Sequence, residues 1–214
     1  MKIQFITLPS AWGRDVQHRL FSQSSSTLVV LFPGKNYSCE LPLLYYATQV
    51  ALQHHCDVLQ LEYGYQSART ELQTERLHLM VEESVKAIHH IKDQYKQIIF
   101  VSKSLGTVVA GIAAEAVDAS SPIVQLFLTP LDSTVSYIQN TVNSVIYGTA
   151  DDLFSDKSVK ALEGLQNSEV HAVNRGSHSL EVGNARDNIK VMADVIGVYE
   201  TFFKKHVLSF ESKL

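Results

Sequence analysis

The sequence has little of what marks disulfide-bonded, zinc-binding or membrane proteins. Its two cysteines, Cys39 and Cys56, form no CxxC motif and have no tight spacing, so they indicate neither a disulfide scaffold nor a zinc site. We expect both to be small hydrophobic residues in a reducing compartment. No segment approaches the ~18 apolar residues that span a bilayer, and the N-terminus lacks an apolar run of signal-peptide length. These absences predict a cytoplasmic protein without a membrane span or a metal site.

An excess of charge of one sign is also missing. The chain has 18 Lys and Arg residues against 22 Asp and Glu residues, a net charge of −4, and the basic residues are scattered. Without a basic patch to attract phosphates, nucleic acid is excluded as the expected partner. The glycines near Gly106 and Gly111 form neither GxGxxG nor GxxxxGK[ST], which argues against a nucleotide-binding α/β protein.

The composition that remains is that of an ordinary globular domain. Hydrophobic residues make up 45% of the chain and charged residues 19%, which are average values. A chain of 214 residues is long enough for a full core and a pocket. We therefore expect residues 1–214 to form a single domain.

Short β-branched or aromatic runs alternate with longer segments of helical periodicity. Strands are predicted over residues 2–8, 16–22, 27–32, 57–61, 97–101, 123–129, 143–147 and 169–173. Helices are predicted over residues 42–55, 69–92, 104–117, 155–165 and 188–206. The first two strands are expected to pair antiparallel, whereas the alternation that follows is typical of a parallel sheet with helices on both faces. The sequence predicts a three-layer α/β/α sandwich with a mainly parallel sheet of about seven or eight strands.

One serine lies at a predicted junction between a buried strand and a helix. A nucleophile on such a sharp turn projects above the carboxyl edge of the sheet, where the helix N-terminus stabilises negative charge. The turn requires small residues two positions before and after the nucleophile, and Ser104 has Ser102 and Gly106 there. Ser102 as nucleophile would place Phe100 at the crowded position, so Ser104 is the candidate. The simpler alternative is a helix N-cap, which serine also favours.

The elbow Ser102-Lys103-Ser104-Leu105-Gly106 resembles the Gly-x-Ser-x-Gly motif of the α/β-hydrolases, with serine in place of the first glycine. In that family an acid and then a histidine follow the nucleophile. The loop 147–152 is similar to the family's Gly-x-x-Asp acid loop, with Asp151 at the matching position. Asp152 is the second candidate and Asp132 the third. Turn or capping roles, common for Asp, are the alternative.

The loop 173–180 is similar to the family's Gly-x-His-Ser loop, and it places His178 in a polar, glycine-bearing segment after the last predicted strand. The other histidines considered lie on predicted helix ends or faces or within a strand, and we interpret them as structural: His54, His55, His89, His90 and His171. The resemblance implies a triad of Ser104 as nucleophile, Asp151 as acid and His178 as base.

The resemblance also implies where the oxyanion is bound. The first donor would be the backbone N–H of Leu105, and the second would come from the loop after strand 27–32. That loop has Pro33 and Gly34 where the family often has His-Gly. The missing histidine leaves two candidates for the second donor, the N–H groups of Lys35 and Asn36.

Three tyrosines are expected on loops at the same sheet edge. We predict that Tyr37, Tyr63 and Tyr65 line the substrate pocket together with Gly34. The alternative is that these tyrosines simply pack on the surface. The segment 131–142, where many relatives carry a lid, is too short for a cap domain. An open pocket suits a small or flexible acyl substrate.

The resulting hypothesis is a serine hydrolase of the α/β-hydrolase type without a cap domain. It would cleave a small carboxyl ester or thioester through an acyl-enzyme and would require no metal or organic cofactor. Two alternatives stay open: an acyltransferase with the same triad, and a hydrolase fold kept as a non-catalytic binding module. A monomer or a simple homo-oligomer is expected.

Overall fold

A computed structural model of the chain describes residues 1–119 and 122–211, and its central feature is a single eight-stranded sheet. The strands are β1 (Lys2–Leu8), β2 (Val16–Ser22), β3 (Thr27–Phe32), β4 (Asp57–Gln60), β5 (Gln97–Lys103), β6 (Val124–Leu128), β7 (Asn143–Gly148) and β8 (Ser168–Val173). The α-helices are α1 (Pro42–Gln53), α2 (Gly64–Ser67), α3 (Leu77–His89), α4 (Leu105–Ala116), α5 (Val135–Asn140), α6 (Asp156–Lys160) and α7 (Ala185–Glu211).

The strands lie in the order β1-β2-β4-β3-β5-β6-β7-β8. The pairs β1–β2 and β2–β4 are antiparallel, and all the others are parallel. The predicted fold class and the antiparallel start of the sheet are therefore confirmed. Because β3 and β5 to β8 run in the same direction, their carboxyl ends meet at one edge, where the loops that follow them can build a site.

Strand β3 explains why the sheet has helices on both faces. Leu28, Val30 and Phe32 point into one core cluster, which also contains residues of α3 and α4. Val29 and Leu31 point into a second cluster, with residues of α1 and α7. Alternate side chains of a strand face opposite sides of a sheet, so a continuous apolar run is what a strand covered on both faces requires.

The predicted helix 69–92 is the largest error in the secondary structure. The structure has a short α2 over Gly64–Ser67, a 3₁₀ turn at Thr74–Arg76, and α3 only from Leu77. Tyr65 of α2 packs edge-on against Trp12, with ring centroids 5.8 Å apart. Such a contact between residues distant in the chain leaves no mark on local periodicity. The apolar spacing of residues 188–206 predicts that Ile189 points inward, but Ile189 is 70% exposed because it precedes the packed stripe of α7.

The segment between β6 and β7 is short, as predicted. In the described part of the chain it holds only a 3₁₀ turn (Asp132–Thr134) and α5, which is too little for a separate cap domain. Within the described residues, no helix combines the length and apolar character needed to cross a bilayer.

Candidate active site

Ser104 stands at the junction of β5 and α4 in a conformation that non-glycine residues rarely adopt. Its φ is 54° and its ψ is −122°, and such strain persists only where the surroundings fix the backbone. Its N–H donates to the carbonyl of Leu128 at 3.0 Å, and its own carbonyl accepts from the N–H of Thr107 at 2.8 Å. The hydroxyl of Thr107 donates to the same carbonyl at 2.6 Å. The strained turn is thus held from both neighbouring elements.

Gly106 allows this turn to approach the neighbouring strand. A Cβ atom at this position would lie 2.5 Å from the carbonyl oxygens of Phe32 and Pro33, a distance that real Cβ atoms do not adopt. Ser102, two residues before Ser104, is fully buried. The requirement for small residues around the elbow is therefore visible as close backbone packing between β5–α4 and the end of β3.

The structure brings Ser104, His178 and Asp151 together. The Nε2 atom of His178 lies 2.7 Å from the Oγ atom of Ser104, and its Nδ1 atom lies 2.8 Å from Oδ2 of Asp151. Asp151 holds its second oxygen in place by accepting the N–H of Leu153 at 2.9 Å. A carboxylate only accepts hydrogen bonds, so Nδ1 carries the proton and Nε2 presents its lone pair to the serine hydroxyl.

Burial controls the protonation of this imidazole. The side chain of Asp151 is fully buried and that of His178 is 23% exposed. Desolvation lowers the pKa of His178, the hydrogen bond to Asp151 raises it, and the positive charge of Lys103 lowers it. The net shift is downward, which favours the neutral imidazole that can act as a base at neutral pH.

The loops that carry Asp151 and His178 are joined through their backbones. The N–H of Ala150 donates to the carbonyl of Gly176 at 2.9 Å, and the N–H of Arg175 donates to the hydroxyl of Thr149 at 2.7 Å. Gly148 packs so closely against Gly176 that a Cβ atom there would collide with the carbonyl. The distance between the carboxylate and the imidazole is therefore set by backbone geometry.

The alternative acids lie elsewhere. Asp152 is exposed, whereas Asp132 accepts the N–H of Ser155 at 2.8 Å and the hydroxyl of Ser158. The carboxylate of Asp132 thus stabilises the start of α6. In the described part of the chain, no group of three or more His, Cys, Asp or Glu residues could hold a metal ion.

Lys103 is a charged residue beside the site that the sequence reasoning missed. It is only 3% exposed, and its Nζ atom lies 4.8 Å from the centre of the Tyr37 ring, over its face. Burial lowers its pKa to about 8, while the charge of Asp151 raises it. In a half-exposed strand, apolar and polar residues alternate, and a lysine is expected on the exposed face. In a buried strand such as β5, no sequence pattern predicts a lysine.

The predicted oxyanion donors lie on two different elements of the chain. Leu105 is the first residue of α4, and an N–H in the first helical turn has no partner within the helix. Lys35 and Asn36 are exposed and form the tip of a tight turn. That turn is closed by the N–H of Gly34, which donates to the carbonyl of Tyr37 at 2.9 Å.

The predicted pocket residues separate into two groups. Tyr37 and Tyr65 line a cleft of about 560 Å³, together with Lys35 and Asn36. Gly34 is buried at the base of the turn. Tyr63 is not among the residues that line this cleft, although its ring and that of Tyr65 are buried in the same core cluster, 1% and 3% exposed.

The cleft lies beside the turn, over the ends of β2 and β4. Its walls combine aromatic, amide and charged side chains, among them Phe5, Gln17, Arg19, Glu62 and Arg69. Ser104 does not line it. Neither His178 nor Asp151 lines it.

Comparisons with known structures agree with this architecture. No protein-family model matches the chain, and no curated protein matches its sequence. A putative alpha/beta hydrolase from Agrobacterium tumefaciens is 12% identical, with a TM-score of 0.76 over 96% of this chain and 97% of that one. A serine hydrolase without a lid from Xanthomonas campestris is 14% identical, with a TM-score of 0.70 over 95% of this chain and 94% of that one.

An esterase from Pyrococcus furiosus is also similar, with 13% identity and a TM-score of 0.73 over 95% of this chain and 92% of that one. Similarity over nearly the whole of each chain, at such low identity, is similarity of fold. The short connection between β6 and β7 agrees with the description of the second of these neighbours as a hydrolase without a lid. The chain therefore has the α/β-hydrolase fold in its lid-less form.

Proposed function

We propose that the protein is a serine hydrolase that cleaves a small carboxyl ester or thioester. The observation that carries this proposal is the continuous hydrogen-bonded line from Asp151 through His178 to Ser104, with distances of 2.8 and 2.7 Å. A buried carboxylate, a neutral imidazole and a hydroxyl in this order form the arrangement that activates a serine. The hydrolases and esterases among the structural neighbours support the same activity.

In the proposed reaction, the Oγ atom of Ser104 forms a bond to the acyl carbon while its proton moves to Nε2 of His178. The electron pair of the carbonyl moves to its oxygen, where N–H donors stabilise the charge. Collapse of this intermediate breaks the bond to the alkoxide or thiolate, which takes the proton from His178. Water then attacks the acyl-enzyme by the same route, and the acid leaves. Asp151 holds the imidazole and stabilises its charged form.

The substrate class follows from the open edge of the sheet. Among the described residues, the segment between β6 and β7 adds only a 3₁₀ turn and α5, so enclosure contributes little selectivity and a small or flexible acyl group fits best. We further propose that residues 1–214 act as one domain, in the cytoplasm, as a monomer or a simple homo-oligomer, without a cofactor.

A panel of p-nitrophenyl esters of increasing acyl length tests this proposal. The wild-type protein should hydrolyse the esters with shorter acyl chains clearly faster than those with longer chains. S104A should lower kcat by several orders of magnitude while the circular dichroism spectrum stays unchanged. Equal rates for S104A and the wild type would refute the assignment of the nucleophile.

A further inference from the structure

The turn over residues 34–37, which holds both candidates for the second oxyanion donor, lies between two structural elements. It follows β3, and β3 lies between β4 and β5 in the sheet. Helix α2, which follows β4, therefore lies on one side of the turn. The elbow, which follows β5, lies on the other, and a Cβ atom at Gly34 would be 3.4 Å from the carbonyl oxygen of Lys103.

Two side chains of α2 hold the carbonyls of this turn. The Nε2 atom of Gln66 donates to the carbonyl oxygen of Gly34 at 3.0 Å and to that of Lys35 at 3.3 Å. The hydroxyl of Tyr65 also donates to the carbonyl of Lys35. Gln66 is itself held, because its Oε1 atom accepts the N–H of Tyr63 at 3.2 Å.

These bonds determine where the N–H groups of the turn point. The described part of the chain has no cis peptide bonds, and in a trans peptide the C=O and N–H groups point in opposite directions. With its carbonyl held toward α2, the peptide between Gly34 and Lys35 directs its N–H toward the elbow. The carbonyl of Lys35 also accepts hydrogen bonds from α2, but the N–H of Asn36 lies one residue farther from Gly34, the residue that approaches the elbow.

We infer that the N–H of Lys35 is the second oxyanion donor, and that Tyr65 and Gln66 are positioning residues that aim it. This inference rests on the proposed serine hydrolase function and goes beyond it. Neither side chain needs to touch the substrate. Their effect is to fix a surface turn before the reaction, so that no reorganisation is needed when charge develops on the carbonyl oxygen.

Removal of the Tyr65 hydroxyl tests the positioning role, and Tyr63 provides a matched control. The two rings stack, with centroids 6.1 Å apart, but the hydroxyl of Tyr63 has no hydrogen-bond partner within the described residues. Y65F should lower kcat about tenfold, and Y65F/Q66M about 100-fold, the loss expected from a misaligned group. Y63F should keep the wild-type kcat.

The readouts separate positioning from folding. Values of kcat are normalised to active sites titrated with a fluorophosphonate, so that unfolded protein does not count. KM should stay within about twofold, while the inhibition constant of a trifluoromethyl ketone analogue rises in proportion to the loss of kcat/KM. A variant that only loses stability would show fewer titrated sites with an unchanged kcat per site, and that result would overturn the inference.

A proline substitution tests the donor itself. Lys35 is the second residue of the four-residue turn and has no positive φ, a position where proline is favoured. K35P removes the N–H, whereas K35A keeps it and removes the same side chain. K35P should be slower than K35A by about 100-fold in kcat per titrated site, the effect of losing one oxyanion donor. Equal rates for the two variants would assign the donor elsewhere.

S104A is measured alongside these variants. If S104A is inactive while Y65F/Q66M and K35P match their controls, the serine hydrolase proposal stands and the inference about the turn is wrong. If S104A is as active as the wild type, the proposed function fails, and the inference fails with it.

Discussion

The imidazole Nε2 of His178 lies 2.7 Å from the hydroxyl of Ser104, although 74 residues separate them in the chain. The parallel direction of the strands accounts for this. Ser104 follows β5, His178 follows β8, and the carboxyl ends of both strands point to the same edge of the sheet. The contact therefore depends on topology, and its chemistry depends on the buried carboxylate behind the imidazole.

D151N tests that carboxylate. An asparagine of the same shape can donate to Nδ1 of His178 and so favour the wrong tautomer, which lowers kcat by about 10⁴-fold in enzymes with such a triad. D152N is the matched control, because Asp152 is the adjacent residue and is exposed. Steady-state kinetics of both variants with the same ester should show a large loss for D151N alone. Comparable losses would mean that the acid is misassigned.

The pH dependence of kcat/KM should reflect the lowered pKa of His178. Burial is the main cause of this shift. The base must be neutral to accept the proton, so activity falls as pH drops through the pKa of the folded protein. Because this pKa lies below the ordinary value of 6.5, the acid limb should have its midpoint below pH 6.5. A midpoint above that value would contradict the effect of burial.

K103M should move the same acid limb to higher pH. The ammonium of Lys103 disfavours protonation of His178, so a neutral side chain of similar length lets the imidazole gain its proton more easily. K86M removes a lysine from the exposed face of α3 and should leave the midpoint in place. A downward shift in K103M would contradict the effect assigned to the Lys103 charge.

The strain at Ser104 predicts a difference in stability between two inactive variants. With φ at 54°, an alanine keeps the strain, of order 1–3 kcal/mol, whereas a glycine releases it at an entropy cost of roughly 0.5–1 kcal/mol. The free energy of unfolding in urea should therefore be about 1 kcal/mol greater for S104G than for S104A. The reverse order would indicate that the elbow is relaxed.

Two glycines should respond in opposite ways to alanine. G106A places a methyl group 2.5 Å from two carbonyl oxygens, so it should displace the elbow, lower stability and lower activity. G197A adds a methyl group in open space on α7, where alanine is the better helix former by about 0.8–1 kcal/mol. Urea unfolding should show destabilisation by G106A and stabilisation by G197A. A neutral G106A would mean that the elbow and β3 are not in close contact.

Much of this fold was predictable because the residue pattern of a strand indicates both the strand and its burial. The run Thr27–Phe32 is apolar at every position except the first, as a strand covered on both faces must be. The elbow was also predictable from the sequence, because a sharp turn at Ser104 requires small residues two positions before and after it, and the sequence has them. The sequence thus predicted the sheet and the segments that end at its carboxyl edge.

What could not be predicted depends on contacts between distant residues. Tyr63 and Tyr65 are two positions apart with the same chemistry and are both buried, yet within the described residues the hydroxyl of Tyr65 donates to Lys35 and that of Tyr63 has no partner. No local pattern separates them. Lys103 was missed for a related reason, because a charge inside a buried strand is tolerated only through partners, such as the ring of Tyr37, that the folded chain supplies.

The most direct test of Ser104 as the nucleophile is to identify the residue that a covalent inhibitor modifies. The protein is treated with a fluorophosphonate, digested, and its peptides are sequenced by mass spectrometry. We expect a single phosphonyl adduct on Ser104 that is absent from S104A and forms far more slowly in H178A. An adduct on another residue, or an unmodified Ser104 in folded protein, would contradict it.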